Sequence, residues 1–436
     1  MHERDAVTTA RPASTPVAVQ APRAPTLRER LATIVPLAIF VAATTHWMTW
    51  SEPIRQVFAG DVLHYEKIAQ AAPHFTWPQI TGHISMWPVH YLVGIVAWVT
   101  HVPLHVVYYI ASIAVLALLV ATIDRILLEL GVGRTAYALA MAAAMLNPYV
   151  FRYLALAPGM INDAVFDTCV ALAVLALLQR RTRLLVTVLV VAALARGLSA
   201  PPVQLAAAIW LLFDRGLPVA RRWIAAGEAI ALPLAAFGLA YWVGTTTPGH
   251  AEVVKNCCSV TGLTVLGDIA HLPGSAHAIA LHVARTAIGI AMPLAVLCAA
   301  AVVALWQQAR PAPALHWWLL LVAAALVAQP LLLNTSWDVG ASPRLASYAV
   351  APLAAAAALL LERLEPLDRR TAGLCVALFA AASLNHRFAS VGAKTAGEFA
   401  ALAFASGAAV FLVLVGPTIL RTQRDDAPAK LAERSS

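Results

Sequence analysis

From residue 104 to 123 the chain runs without an Asp, Glu, Lys or Arg, and the same pattern recurs along most of its length: apolar runs parted by short arginine clusters. A helix of roughly 20 residues crosses the hydrocarbon of a bilayer, and many of these runs approach that length. Of 436 residues 61% are hydrophobic and 12% charged. That leaves too little charged surface to coat the two or three soluble domains such a chain would otherwise form. The expected fold is therefore all-α, a polytopic transmembrane helical bundle with membrane lipids as its solvent.

Twelve spans are expected: an anchor at 31–50, then segments near 104–124, 135–152, 163–179, 184–196, 201–213, 222–243, 279–306, 315–333, 346–362, 371–386 and 400–420. The pair on either side of 196–202 is short enough to be broken or tilted. An apolar stretch at 87–101 carries His90 and would invert every later loop if it crossed. It reads as a juxtamembrane or re-entrant helix, which is tolerated where protein or a watery cavity covers it. Residues 1–30 form an expected disordered tail rich in Pro, Ala and Thr, with 421–436 a second tail.

The formal net charge of +8 invites a nucleic-acid reading, but the basic residues sit in clusters between apolar runs, not along one soluble face. Nucleic acid is therefore not an expected partner. Instead the clusters report topology, because loops rich in Lys and Arg stay in the cytoplasm. Most of the chain's 30 basic residues then face inward, with both termini cytoplasmic. Ala and Arg enrichment over Lys suggests a GC-rich bacterial genome, and so a multi-pass protein of the inner (plasma) membrane.

Two external loops, 51–87 and 244–278, are long enough to carry chemistry. Cys169, Cys298 and Cys375 fall in spans, where cysteine behaves as a small apolar residue. Cys257 and Cys258 are adjacent in the second loop, either as a vicinal disulfide or as two thiols. No paired Cys and His spacing of the metal-binding kind is present, and no metal or other cofactor is expected.

The first loop holds Asp61, His64, Tyr65, Glu66 and Lys67 within seven positions. On a helix Asp61 and Tyr65 share a face. An outward carboxylate beside the bilayer suits a general base that takes a proton from an acceptor hydroxyl, while a neighbouring His or Lys holds a phosphate. The plain alternative is a solvated loop in which Asp61 caps a juxtamembrane helix.

This segment, together with several later ones, resembles the GT-C glycosyltransferases, in particular the branch of the GPI mannosyltransferase II type. Asp61 matches the acid of the first luminal loop, Tyr65 the aromatic, Ile68-Ala69 the pair after it, and Met86-Trp87-Pro88-Val89-His90-Tyr91 the Pro-aromatic stretch. Further matches are Asn147-Pro148-Tyr149 with Ala157-Pro158, Ala195-Arg196-Gly197, and Pro343-Arg344-Leu345 before Pro352. His64 stands where that branch has an aromatic, and Val62-Leu63 replaces more polar residues. These departures bear on the sugar more than on the superfamily.

The resemblance implies inverting transfer of a sugar, mannose in that branch, from a polyprenyl-phosphate donor to a lipid, glycan or protein acceptor on the extracytoplasmic face. Asp61 would be the catalytic base. Arg344, His64 and Arg196 would serve the donor phosphate, since guanidinium offers forked, permanently charged donors. Tyr65 and Lys67 would contact substrate.

Asp163 and Asp167 lie four apart on one expected helix, where an unpaired charge costs on the order of 3 kcal/mol. They are either a second acidic, substrate-contacting site or a local pairing with Arg152. The competing class is a secondary transporter, for which twelve spans with both ends inside is a common layout. A non-catalytic assembly subunit is the third.

Overall fold

The computed structural model describes residues 24–49, 62–74, 86–246, 276–307, 312–333, 341–364, 367–386, 389–390 and 401–417. The described chain is helical apart from a two-residue antiparallel bridge, Asn385–His386 with Ala389–Ser390. In order the helices are α1 (Leu27–Thr49), α2 (Val62–Ala71), α3 (Trp87–Thr100), α4 (Leu104–Glu129), α5 (Arg134–Met145), α6 (Tyr153–Leu156), α7 (Ile161–Leu178), α8 (Thr182–Arg196) and α9 (Pro201–Phe213). After them come α10 (Val219–Thr246), α11 (Ala276–Ile288), α12 (Ala291–Trp306), α13 (Ala314–Leu333), α14 (Ala341–Ala346), α15 (Val350–Leu361), α16 (Arg369–Ser383) and α17 (Ala401–Pro417).

Every expected span contains helix. Among the described residues five segments are long and apolar enough to cross a bilayer unaided: Leu104–Glu129, Pro158–Leu178, Val219–Thr246, Ala314–Leu331 and Ser342–Leu361. Two bent pairs raise that to seven. These segments make the chain a membrane protein. The run at 279–306, expected as one span, is two helices that meet at 88°. Gly289 and Ile290 form the turn between them, so uninterrupted apolarity here did not mean one straight helix. The segment 135–152 likewise breaks after Met145, where Pro148 lacks the N–H that would continue the ladder, and resumes at 41°. The helix α3 is 14 residues long, α8 is 15 and α9 is 13, all shorter than a perpendicular crossing requires.

The centre of the bundle is small-residue packing. Ala354 to Ala358 of α15 lie against α5, whose Ala142, Ala143 and Ala144 are as fully buried. With lipid outside there is no hydrophobic gain in pairing apolar helices, so close backbone approach and van der Waals contact hold them together. The helix α7, buried on almost every side, runs beside α4 and packs against α8.

Polar contacts gather at the two ends. At one end Arg30 pairs with Asp124, to which Tyr137 donates at 2.6 Å; Arg134 pairs with Glu29, Gln179 donates to Glu129, and the Gly133 N–H donates to Glu362. The other end holds the start of α7, the end of α8, and α14. Asp163 and Gln179, sixteen residues apart along α7 and just past its end, are separated by about 24 Å.

The helix α2 packs on α3 at this second end. A side chain begun at Gly94 would collide with the Ala69 carbonyl oxygen, so the two backbones touch where only glycine fits. Tyr65 stacks on His90 with centroids 4.1 Å apart, and His90 Nδ1 lies 3.0 Å from the Tyr108 hydroxyl on α4.

Candidate functional site

The chain breaks its helical regularity in the stretch before α7. Asn147 caps a five-residue π-helical turn (Pro148–Arg152): its Oδ1 accepts from the Tyr149 N–H at 2.9 Å, while its Nδ2 donates to the Gly289 carbonyl at 2.8 Å. A short 3₁₀ turn, Pro158–Met160, then feeds α7. Irregular backbone within a membrane bundle survives where side chains satisfy its freed groups, which Asn147 does here. The bend carbonyl it holds adjoins a second close approach. Gly289 abuts Pro343 so tightly that a Cβ would strike the Pro343 carbonyl oxygen, and Arg344 is the next residue.

Three distant segments meet on one carboxylate. Asp163, 1% exposed, sits in the first turn of α7. Arg196, the last residue of α8, engages its Oδ1 through Nε. Tyr348 donates its hydroxyl to the same oxygen at 3.0 Å. Arg344 places Nε 3.3 Å from Oδ2, and its Nη1 donates to the Tyr153 hydroxyl at 3.2 Å and leans on the Met160 sulfur at 3.5 Å. Arg344 also lies over the Tyr153 ring, 5.9 Å from its centroid. Its side chain keeps 13% of its surface exposed, and its Nε, at ion-pair distance from Asp163, makes no hydrogen bond among the described residues.

Charge arithmetic gives this cluster its character. Two guanidinium groups share the Asp163 carboxylate, Arg196 by a hydrogen bond and Arg344 as an ion pair, which leaves these three groups with a formal surplus of one positive charge in a low-dielectric setting. Attraction and repulsion both gain strength there. Such a group of donors can receive an anion. Asp167, one turn further along α7 and 5% exposed, makes no hydrogen bond among the described residues.

The alternative pairing of Asp163 with Arg152 is corrected. Arg152 is buried on the π turn and donates to Ser383 at 3.3 Å, while Asp163 is taken by arginines from α8 and α14. Sequence proximity suggested the first, and helix packing chose the second.

Of the other expected site residues, Asp61 lies outside the described residues; α2 begins at the next position. His64 is on α2, with its side chain outside the described set. Tyr65 is buried, directs its hydroxyl to the Met86 sulfur at 3.6 Å, and thereby meets Asn162, whose Nδ2 donates to the same sulfur at 3.2 Å. Asn162 precedes Asp163, and α2 also packs on Pro158–Met160, so the first-loop helix adjoins the arginine cluster. Lys67 faces outward. Tyr348, Tyr153 and Asn162 were not expected. Tyr348 was detectable, since it comes four positions after Arg344 and so shares its helical face.

The fold and this site define a class: a polytopic helical membrane protein with a buried aspartate, two arginines and a tyrosine joined at one end of the bundle. Compared with models of protein families, with curated proteins and with solved structures, the chain matches none.

Proposed function

We propose that the chain is an inverting glycosyltransferase that moves a sugar, mannose in the closest resemblance, from a polyprenyl-phosphate donor to an acceptor hydroxyl on the extracytoplasmic face of the plasma membrane. One observation carries the reading: Arg196 and Arg344, two of the residues the GT-C resemblance assigns to the donor phosphate, meet on Asp163 beside the helix that begins just after Asp61. That meeting lies at the end of the bundle opposite the contacts of Arg30, Arg134 and Glu362. Under the rule that basic loops stay inside, it is the outer end, and both termini are cytoplasmic.

In this reaction the Asp61 carboxylate takes the acceptor hydroxyl proton as the acceptor oxygen bonds to the anomeric carbon. The bond from that carbon to the phosphate oxygen breaks, and polyprenyl phosphate leaves as an anion next to Arg344. A guanidinium fixed before the reaction costs no reorganisation when that charge develops. Asp163 is then a positioning residue for the two arginines, with Tyr348 fixing its orientation.

The test is transfer from a short-chain polyprenyl-phosphate sugar in membranes that carry the protein. Asp61→Asn should lower the rate by about 10²–10⁴-fold, the usual worth of a general base, with expression unchanged. Normal transfer by that variant removes Asp61 from the mechanism. A second reading, proton-coupled secondary transport, is favoured by Asp167, a buried carboxyl of the kind that carries protons through a bundle. Solute counter-flow abolished by Asp167→Asn, with no sugar transferred to any acceptor, would select it.

A further inference from the structure

The end of the bundle away from the aspartate cluster carries an unexplained local choice. The helices α4 and α7 end in the same way, each closed by two backbone bonds. In α4 these run from Gly131 N–H to Leu128 and from Val132 N–H to Leu127; in α7 they run from Arg180 N–H to Leu177 and from Arg181 N–H to Ala176. The residue after the cap adopts a left-handed conformation in both, with φ 65° at Gly131 and 54° at Arg180. Glycine is the usual occupant of this position because a Cβ there is strained. The first helix follows the rule and the second places an arginine instead.

That arginine reaches across to the neighbouring hairpin. Arg180 Nη2 lies 3.7 Å from Asp214, in the turn between α9 and α10, and a shallow cleft open to the surface lies between the two turns. Arg180, Arg181, Thr182, Trp210, Asp214 and Leu217 line it. The two turns hold Arg180, Arg181 and Arg215, the first turns of the helices that follow add Arg183, Arg221 and Arg222, and Asp214 is the one acid between positions 180 and 222. Arg222 is committed to the Leu217 carbonyl at 2.7 Å, and Asp214 also accepts from the Gly216 N–H at 2.9 Å. Glu129, at the end of α4, bonds Gln179, pairs with Arg125 and also feels the charge of Arg181. A strong positive excess therefore surrounds a cleft with an indole in its wall. Beside it Phe213 and Trp223 are 79% and 66% exposed, which suits side chains lying among acyl chains and at the headgroup level.

We propose that this cleft binds the phosphate headgroup of an anionic phospholipid, with Arg180 and Arg181 as its principal donors and the exposed aromatics beside its acyl chains. Basic pockets between helices on the cytoplasmic side of a membrane take such headgroups. The strained placement of Arg180 is what delivers a guanidinium to the second turn.

The test uses the full-length protein in neutral detergent, titrated with phosphatidylglycerol, phosphatidylcholine or inorganic phosphate, and reads bound lipid by native mass spectrometry and the thermal midpoint. Phosphatidylglycerol should bind the wild type and raise its midpoint, while the other two should do neither. Affinity should fall about fivefold for each charge removed, and so about thirtyfold in Arg180→Gly with Arg181→Gln. Arg180→Gly without lipid should melt no lower than wild type, because glycine relieves the backbone. A lower midpoint there would make Arg180 a structural tie to Asp214 and overturn the proposal. So would unchanged phosphatidylglycerol affinity in the double variant, or inorganic phosphate matching the lipid.

Discussion

Replacing Asp163 with asparagine keeps the size of the side chain and removes the one charge on which two arginines converge. In the wild type its Oδ1 is shared by Arg196 and Tyr348 and its Oδ2 faces Arg344. The variant leaves two guanidinium groups facing each other with no carboxylate between them. Removing one partner of a buried ion pair costs about 3–5 kcal/mol, because the remaining charge stays desolvated. Against a total stability of roughly 5–15 kcal/mol for a typical domain, that is a large fraction. The loss can be followed in detergent through the heat-induced reactivity of Cys169 and Cys375, both buried, towards a maleimide dye. Asp163→Asn should expose them at a markedly lower temperature. Tyr348→Phe, which deletes one hydrogen bond to a charged group, should cost about 1.5–3 kcal/mol and fall between. Adding Arg196→Gln to Asp163→Asn should recover part of the loss, since the two sites are coupled. If Asp163→Asn melts like the wild type, the cluster is not the ionic junction described and nothing presets the two arginines.

Two further substitutions test how the bundle holds its ends. Gly289→Ala should cost about 1–3 kcal/mol by overpacking against Pro343, and should lower sugar transfer by more than its effect on folding because Arg344 moves with its neighbour; equal transfer at equal protein would refute this. Asp124→Asn, at the opposite end, should destabilise by about 1.5–3 kcal/mol and less than Asp163→Asn, since Arg30 can reach water; a larger loss there than at Asp163 would reverse the assigned importance of the two networks.

The helices were legible because apolar composition over a bilayer's length is a local property. The breaks were less so: the 88° turn at Gly289 arises from packing against Pro343, a contact made with a segment more than fifty residues on. Arg196 and Arg344 could be singled out one at a time, as charges in or beside apolar runs, but their common partner could not. Asp163 and Arg196 are 33 positions apart, and Tyr348 is 185 from the same carboxylate. Arg152, eleven residues before Asp163, looked the better partner until packing turned it towards Ser383. Tyr65 was chosen as the aromatic of the first-loop pattern and a substrate contact; its ring stacks on His90 and anchors α2 to α3.

The pairing of Asp163 with Arg196 has a bearing on biogenesis. The helices α7 and α8 are neighbours in sequence joined by a short turn, so the acid and its first cation can leave the insertion machinery as a pair within one hairpin, which lessens the penalty of placing either in lipid alone. Arg344 is synthesised much later and arrives at an aspartate already half satisfied. The guanidinium added last meets that aspartate only as an ion pair, 3.3 Å away, and spends its hydrogen bond on the Tyr153 hydroxyl, which was inserted long before it.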